Sequence, residues 1–107
     1  MVPVRVPAEQ RALYHAAASL ASNFLVTLES AAEQLARECG IERAQLAPLV
    51  RAAVANWEAQ GFGAITGPLA RGDEATVAAQ RAAIAESAAE LLPLWDALTA
   101  RTRDMLR

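Results

Sequence analysis

The sequence predicts an all-α protein, a bundle of four or five helices around one long N-terminal helix. Three observations predict it. Apolar residues recur at spacings of three and four, the signature of a helix face. No stretch shows the alternation of a strand, and no internal repeat is visible. Alanine supplies 27 of the 107 residues while aromatic residues make up only 5%, so a core has to come from close helix approach rather than from large rings. A chain of this length is one domain.

Residues 1–7, which carry VPVRVP, read as an extended linker, and 8–107 as the domain. Pro7 suits the edge of a helix, where a missing N–H costs nothing. From Ala8 to Cys39 nothing interrupts the helical pattern, and Gly40 supplies the stop. Leu13, Ala17, Leu20, Phe24, Leu28, Ala31 and Leu35 make a continuous apolar stripe expected to face the core. Opposite the stripe, the second half of this helix carries Glu29, Glu33 and Arg37, a solvated face. Ile41 to Ala47 reads as a connector. Pro48 then opens a second helix to about Gln60, with Leu49, Val50, Ala53, Val54 and Trp57 facing inward. The segment from Gly61 to Asp73, GFGAITGPLARGD, holds four of the five glycines and cannot be regular helix throughout. Asp73 is the expected N-cap of a third helix, from Glu74 to about Glu90, with Val77, Ala78 and Ile84 inward. Pro93 marks a fresh start, and Leu94, Leu98 and Leu106 line the last helix.

Composition removes several functions. The net charge is −2 and no basic cluster exists, which argues against nucleic acid or an anionic membrane as partner. The neutral run from Ala12 to Leu28, 17 residues, is too short and too polar to span a membrane. Met1 to Pro7 has no signal-peptide pattern. All ten basic residues are arginine, so a lysine Schiff base or lysine acid–base step is excluded within this chain. Cys39 is the single cysteine, which fits a reducing compartment and hence the cytoplasm. No carboxylate stands a helical turn from His15, so neither a metal set nor a hydrolytic triad is expected. A P-loop and a dinucleotide fingerprint are absent.

Two constellations remain. His15, Ser19 and Asn23, at i, i+4 and i+8, stack on one helix face. As a catalytic row, the Asn23 amide would hold a substrate oxygen and the His15 imidazole would donate or shuttle a proton. As structure, they would be satisfied polar groups buried in an alanine-rich helix contact. Thr66, Gly67, Arg71 and Asp73 combine a glycine-rich loop, a helix start and an arginine, the elements of a substrate anion site; as structure, they are turn chemistry and a cap. Asn56 is placed to satisfy the loop's backbone. Tyr14, Trp57 and Trp95 are candidate core or interface anchors.

YHAAASLASNFLV at Tyr14–Val26, followed by TGPLARGDEATV at Thr66–Val77, resembles the C-terminal helical domain of a bacterial family of Rossmann-like proteins, a domain of unknown function. The resemblance covers about residues 8 to 106. The whole proteins resemble 6-phosphogluconate-dehydrogenase-like oxidoreductases, including ketopantoate reductase and pyrroline-5-carboxylate reductase. The resemblance implies a 6-phosphogluconate-dehydrogenase C-terminal-domain-like fold and an NAD(P)-dependent reductase or dehydrogenase acting on a small molecule between two domains. In the wider superfamily a lysine and an asparagine one turn apart on the first long helix act on substrate. Here His15 and Ser19, or Ser19 and Asn23, occupy that register, and Gln80 stands where the family commonly has a histidine. The resemblance places NAD or NADP on an N-terminal Rossmann domain that these residues do not include, so the chain alone is expected to bind no nicotinamide and turn nothing over. A homodimer is expected, because the first helix is apolar on more sides than the other helices can cover. The other function class that fits is a stand-alone helical interaction module without catalysis.

Overall fold

A computed structural model describes residues 5–107 of the chain. The described residues are helical, with no strand. The chain divides into two compact units, residues 1–32 and 33–107, and the expected linker at 1–7 lies largely outside the described residues.

The first unit is one helical run in pieces. A 3-10 turn, Ala8–Gln10, leads into α1 (Arg11–Ala21), and α2 (Asn23–Glu38) begins after a single residue, Ser22. The expected unbroken helix is therefore interrupted. Ser22 turns aside to φ −123° and ψ −68°, and its Oγ donates to the carbonyl of Ala18 at 2.7 Å. A serine that back-bonds to residue i−4 competes with the helix's own hydrogen bonds and bends it. The helical bonding resumes at once, Val26 N–H donating to Ser22 O at 3.2 Å. None of the described residues of this unit is buried. The first part of the apolar stripe is not buried: Leu13, Leu20 and Phe24 are 71%, 67% and 57% exposed, while Leu35, at its end, is half-buried in the second unit.

The second unit begins within α2. That helix ends on two reverse hydrogen bonds, Gly40 N–H to Arg37 O and Ile41 N–H to Ala36 O, the Schellman arrangement expected of a glycine stop. The next helix, α3 (Arg43–Gln60), starts five residues earlier than the expectation, with Pro48 inside it. Its true start is a capping box in which the Gln45 side chain accepts from Glu42 N–H at 2.8 Å. A glutamate and glutamine do here what serine and glutamate do in the usual box, which is why the proline looked like the better start. Glu33 ties the two helices by accepting from Arg43 at 2.8 Å and from Arg37 at 3.1 Å. The hydrogen bond from Arg43 leads the effects that hold the Glu33 carboxyl below its usual range.

A 3-10 turn, Gly61–Ala64, follows, then the single turn α4 (Pro68–Arg71) and α5 (Glu74–Ser87). A further 3-10 turn, Ala89–Leu91, leads into α6 (Leu92–Leu106), with Pro93 in its first turn as expected. Val77, Ile84 and Ala88 are the buried apolar residues, one stripe on and just after α5. The α5 and α6 helices run antiparallel: Arg103 meets Glu74 at 2.7 Å, while Arg81 grips Asp96 through two bonds of 2.9 and 2.8 Å. Gln34 on α2 donates to Glu90 at 2.7 Å. The core thus gathers on α5, not on the first helix. Leu49, Val54 and Trp57 of α3, expected inward, are also exposed.

Candidate functional site

The candidate residues fall into two groups, one in each unit. His15 and Ser19 lie on α1, and Asn23 is the first residue of α2. The break at Ser22 therefore falls inside the row. His15 and Asn23 are exposed and Ser19 half-buried. Among the described residues none of the three side chains has a protein hydrogen-bond partner; the nearby hydroxyls that do are Ser22, Thr27 and Ser30, each bonded to a carbonyl one turn back. Within the described residues the row is therefore neither buried nor bonded to other protein groups. Its donors and acceptors are free. The Tyr14 and His15 rings lie 5.9 Å apart, tilted by 54°, so an aromatic edge borders the row on one side.

In the second group the structure separates what the sequence joined. Asp73 caps α5: its two carboxylate oxygens accept from the backbone N–H of Thr76 at 3.2 Å and from the Thr76 hydroxyl at 2.6 Å. Those bonds, the hydroxyl's first, hold the Asp73 carboxyl below its usual range, with Arg71 nearby adding a smaller effect. The carboxylate thus fills the positive end of α5 that an anion would otherwise occupy. Asp73 is the cap of α5. Gly67 precedes the single turn of α4 at φ 89°, and Arg71 ends that turn. Arg71 is exposed and makes no ion pair among the described residues.

Thr66 belongs to a cleft that the sequence did not reveal. Leu49, Ala53, Asn56 and Trp57 on α3 face Phe62 and Thr66 across an open space of about 350 Å³. Trp57 is 66% exposed, so it is a cleft wall rather than a core anchor. Asn56 lines the cleft and makes no bond to the loop backbone among the described residues. The signal was present as Leu49, Ala53 and Trp57 at i, i+4 and i+8, one helix face. A second space, about 290 Å³, lies among Cys39, Gln80, Ser87 and Trp95, which gives Gln80 and Trp95 a common surrounding. No three His, Cys, Asp or Glu residues gather as a metal set among the described residues. No described helix is long and apolar enough to cross a membrane.

Residues 1–102 match a family described as Domain of unknown function (DUF2520). No curated protein and no solved structure matches the chain.

Proposed function

We propose, for a chain that belongs to this family of unknown function, that it is the substrate-binding and dimerisation domain of a bacterial, cytoplasmic NAD(P)-dependent oxidoreductase. The observation that carries the reading is the row of His15, Ser19 and Asn23. Three hydrogen-bonding side chains stand without protein partners on a stretch otherwise free of charge, where a substrate would meet no competing ion. The likeness of Tyr14–Val26 and Thr66–Val77 to the helical domain of 6-phosphogluconate-dehydrogenase-like enzymes supports the same location for the site, and a fold of that type.

The nicotinamide cofactor does not fit these residues. Among the described residues there is no glycine-rich strand-to-helix turn, and the start of α5, which could face a pyrophosphate, is taken by the Asp73 carboxylate. The cofactor's phosphates belong to a Rossmann-like domain, and this domain contributes the substrate side. There the Asn23 amide can donate to a substrate carbonyl or hydroxyl oxygen while its own oxygen accepts. His15, whose imidazole carries an N–H, is the candidate donor to an oxygen that gains negative charge. Ser19 stands between them and can relay or hold.

The test is an assay of this domain joined to its native upstream region, with NADH or NADPH and a panel of small oxo- and hydroxy-acids. Turnover is expected in the joined protein and not in the 107-residue chain. Turnover that survives replacement of both His15 and Asn23 by alanine, with unchanged kcat/KM, removes the row from the reaction. A helical interaction module without catalysis is the second reading. It is favoured by the exposed Leu13, Leu20, Phe24, Leu49 and Trp57, and it is the one left standing if no joined protein turns over.

A further inference from the structure

The space between α2, α5 and α6 is lined for one sign of charge. It measures about 290 Å³, and all its walls belong to the second unit. Leu35 of α2, Ile84 of α5 and Trp95 of α6 supply apolar surface, Ile84 buried and the other two half-buried. Glu38, Gln80 and Ser87 supply the polar edge, and no arginine lines it. The arginines adjacent in sequence to these walls are engaged elsewhere, Arg37 with Glu33 and Arg81 with Asp96. We infer that this cleft binds a small quaternary ammonium compound, a cation whose charge is spread over methyl groups.

Glu38 is the last residue of α2. A carboxylate there meets the negative end of its own helix, where its charge works against the fold. Among the described residues it has no ion pair. The basic residue of the same turn, Arg37, turns back to Glu33 instead. Glu38 therefore stands at the cleft as an uncompensated negative charge. Ser87 ends α5 as Glu38 ends α2, so the last turns of two helices line one space. Each such end carries the equivalent of roughly half a negative charge. Carboxylate and helix ends add up to a field that draws in a cation and turns away an anion. Trp95 contributes an indole, the aromatic ring that attracts a cation most strongly.

The apolar walls decide which cation. A compact ion such as sodium or a primary ammonium holds its water tightly. Stripping that water against Leu35 and Ile84 costs more than one carboxylate at an exposed edge returns. A methylated ammonium is weakly hydrated and offers methyl groups to the same walls. The volume is at the small end of ligand sites, which suits a compound of choline size and not a dinucleotide. The cleft shares no residue with the row on the first unit, so it stands or falls separately from the oxidoreductase reading.

The chain has two tryptophans, so Trp57→Phe leaves Trp95 as the only indole reporter. Its fluorescence is followed against choline chloride, and against the uncharged alcohol in which a tert-butyl group replaces the trimethylammonium, at one ionic strength. The expected result is a saturable change with choline and binding of the alcohol weaker by about tenfold or more. Glu38→Gln keeps the size and removes the charge. With helical circular dichroism unchanged, it is expected to weaken choline about fivefold and leave the alcohol as it was. Equal binding of choline and the alcohol, or choline binding indifferent to Glu38→Gln, overturns the inference and leaves an apolar notch. No saturable change with choline overturns it as well. Phosphatidylcholine vesicles present the same group on a surface, and co-sedimentation with them without a response to free choline overturns the small-molecule site in favour of a lipid headgroup.

Discussion

Asp73 and Thr76 close the start of α5 with a pair of hydrogen bonds, the threonine donating both its backbone N–H and its hydroxyl to the same carboxylate. The helix thereby carries its own anion at its positive end, and α5 is the helix that holds the core. Asp73→Ala is expected to lower Tm by about 4–8 °C, the usual cost of a lost cap in a domain of this size, and Asp73→Asn or Asp73→Ser to restore much of it. Thermal melts of the three variants check this.

Acid acts on the same group. The Asp73 carboxyl is depressed by its bonds from Thr76, and the Asp96 carboxyl chiefly by its hydrogen bond from Arg81. A carboxyl held below its unfolded value stabilises fully above that unfolded value. The contribution is lost as pH falls from there through the lower folded value. Tm is therefore flat from neutrality to about pH 5 and falls below about pH 4, and in Asp73→Asn the fall is shallower. A melt series across pH 2–7 with no acid decline would show that these bonds do not persist in solution.

Ile84 and Val77 test where the core is. Both are buried on α5, so Ile84→Ala is expected to cost about 2–5 kcal/mol, a large part of a small domain's stability. Leu20→Ala, at an exposed position, is expected to cost far less within one chain. Urea unfolding of both variants at low protein concentration gives the comparison, and equal costs would place Leu20 in a core.

Gly67 and Gly72 flank α4 in different backbone regions. Gly72 sits at φ 69°, ψ 24° and Gly67 at φ 89°, ψ −173°. A Cβ at either meets nothing within 4 Å, so any cost of alanine is backbone strain alone. The left-handed helical region costs an L-residue about 1–2 kcal/mol, whereas the region of Gly67 is open to glycine almost exclusively. Gly67→Ala is therefore the more destabilising of the two, a ranking that denaturant melts settle directly.

Asn23→Ala separates site from structure. The side chain is exposed and bonds to nothing in the protein among the described residues, so stability is expected to stay within about 1 kcal/mol. In the joined oxidoreductase, turnover is expected to drop while the melt does not. Loss of fold would return Asn23 to a structural role.

The parts of this fold that were readable in the sequence are those written in a few adjacent residues. Gly40 as a stop, Asp73 as a cap and Pro93 in a first turn each depend on local geometry, and each holds; on α5, Val77 and Ile84 are inward as expected while Ala78, expected beside them, is exposed. Two local features escaped for want of a typical residue: Glu42 and Gln45 make a capping box without serine or threonine, and Ser22 interrupts a helix that has no glycine or proline there. What periodicity could not assign was which side of a helix is covered. The stripe through Leu20 and the face through Trp57 have the spacing of core faces, but burial depends on what arrives from elsewhere in the chain or from another molecule. The same limit applied to the candidate site. His15, Ser19 and Asn23 have the spacing of one helix face, but the break at Ser22 falls between the second and the third, and spacing says nothing of whether the row is exposed. Thr66 was named without its cleft, because that cleft forms between α3 and a turn several residues further on.

Pro48, inside α3, has one more effect. It has no N–H to give to the carbonyl of Ala44, the residue a turn before it, so the ladder of hydrogen bonds along α3 is missing a rung near its start. The first turn, from Arg43 to Ala47, is then poorly secured by the rest of the helix. Its security comes from outside that ladder, in the Glu42–Gln45 box and the Arg43–Glu33 ion pair. Amide hydrogen exchange along α3 accordingly divides at the proline, with the turn before it opening on its own and the helix beyond it exchanging as a block.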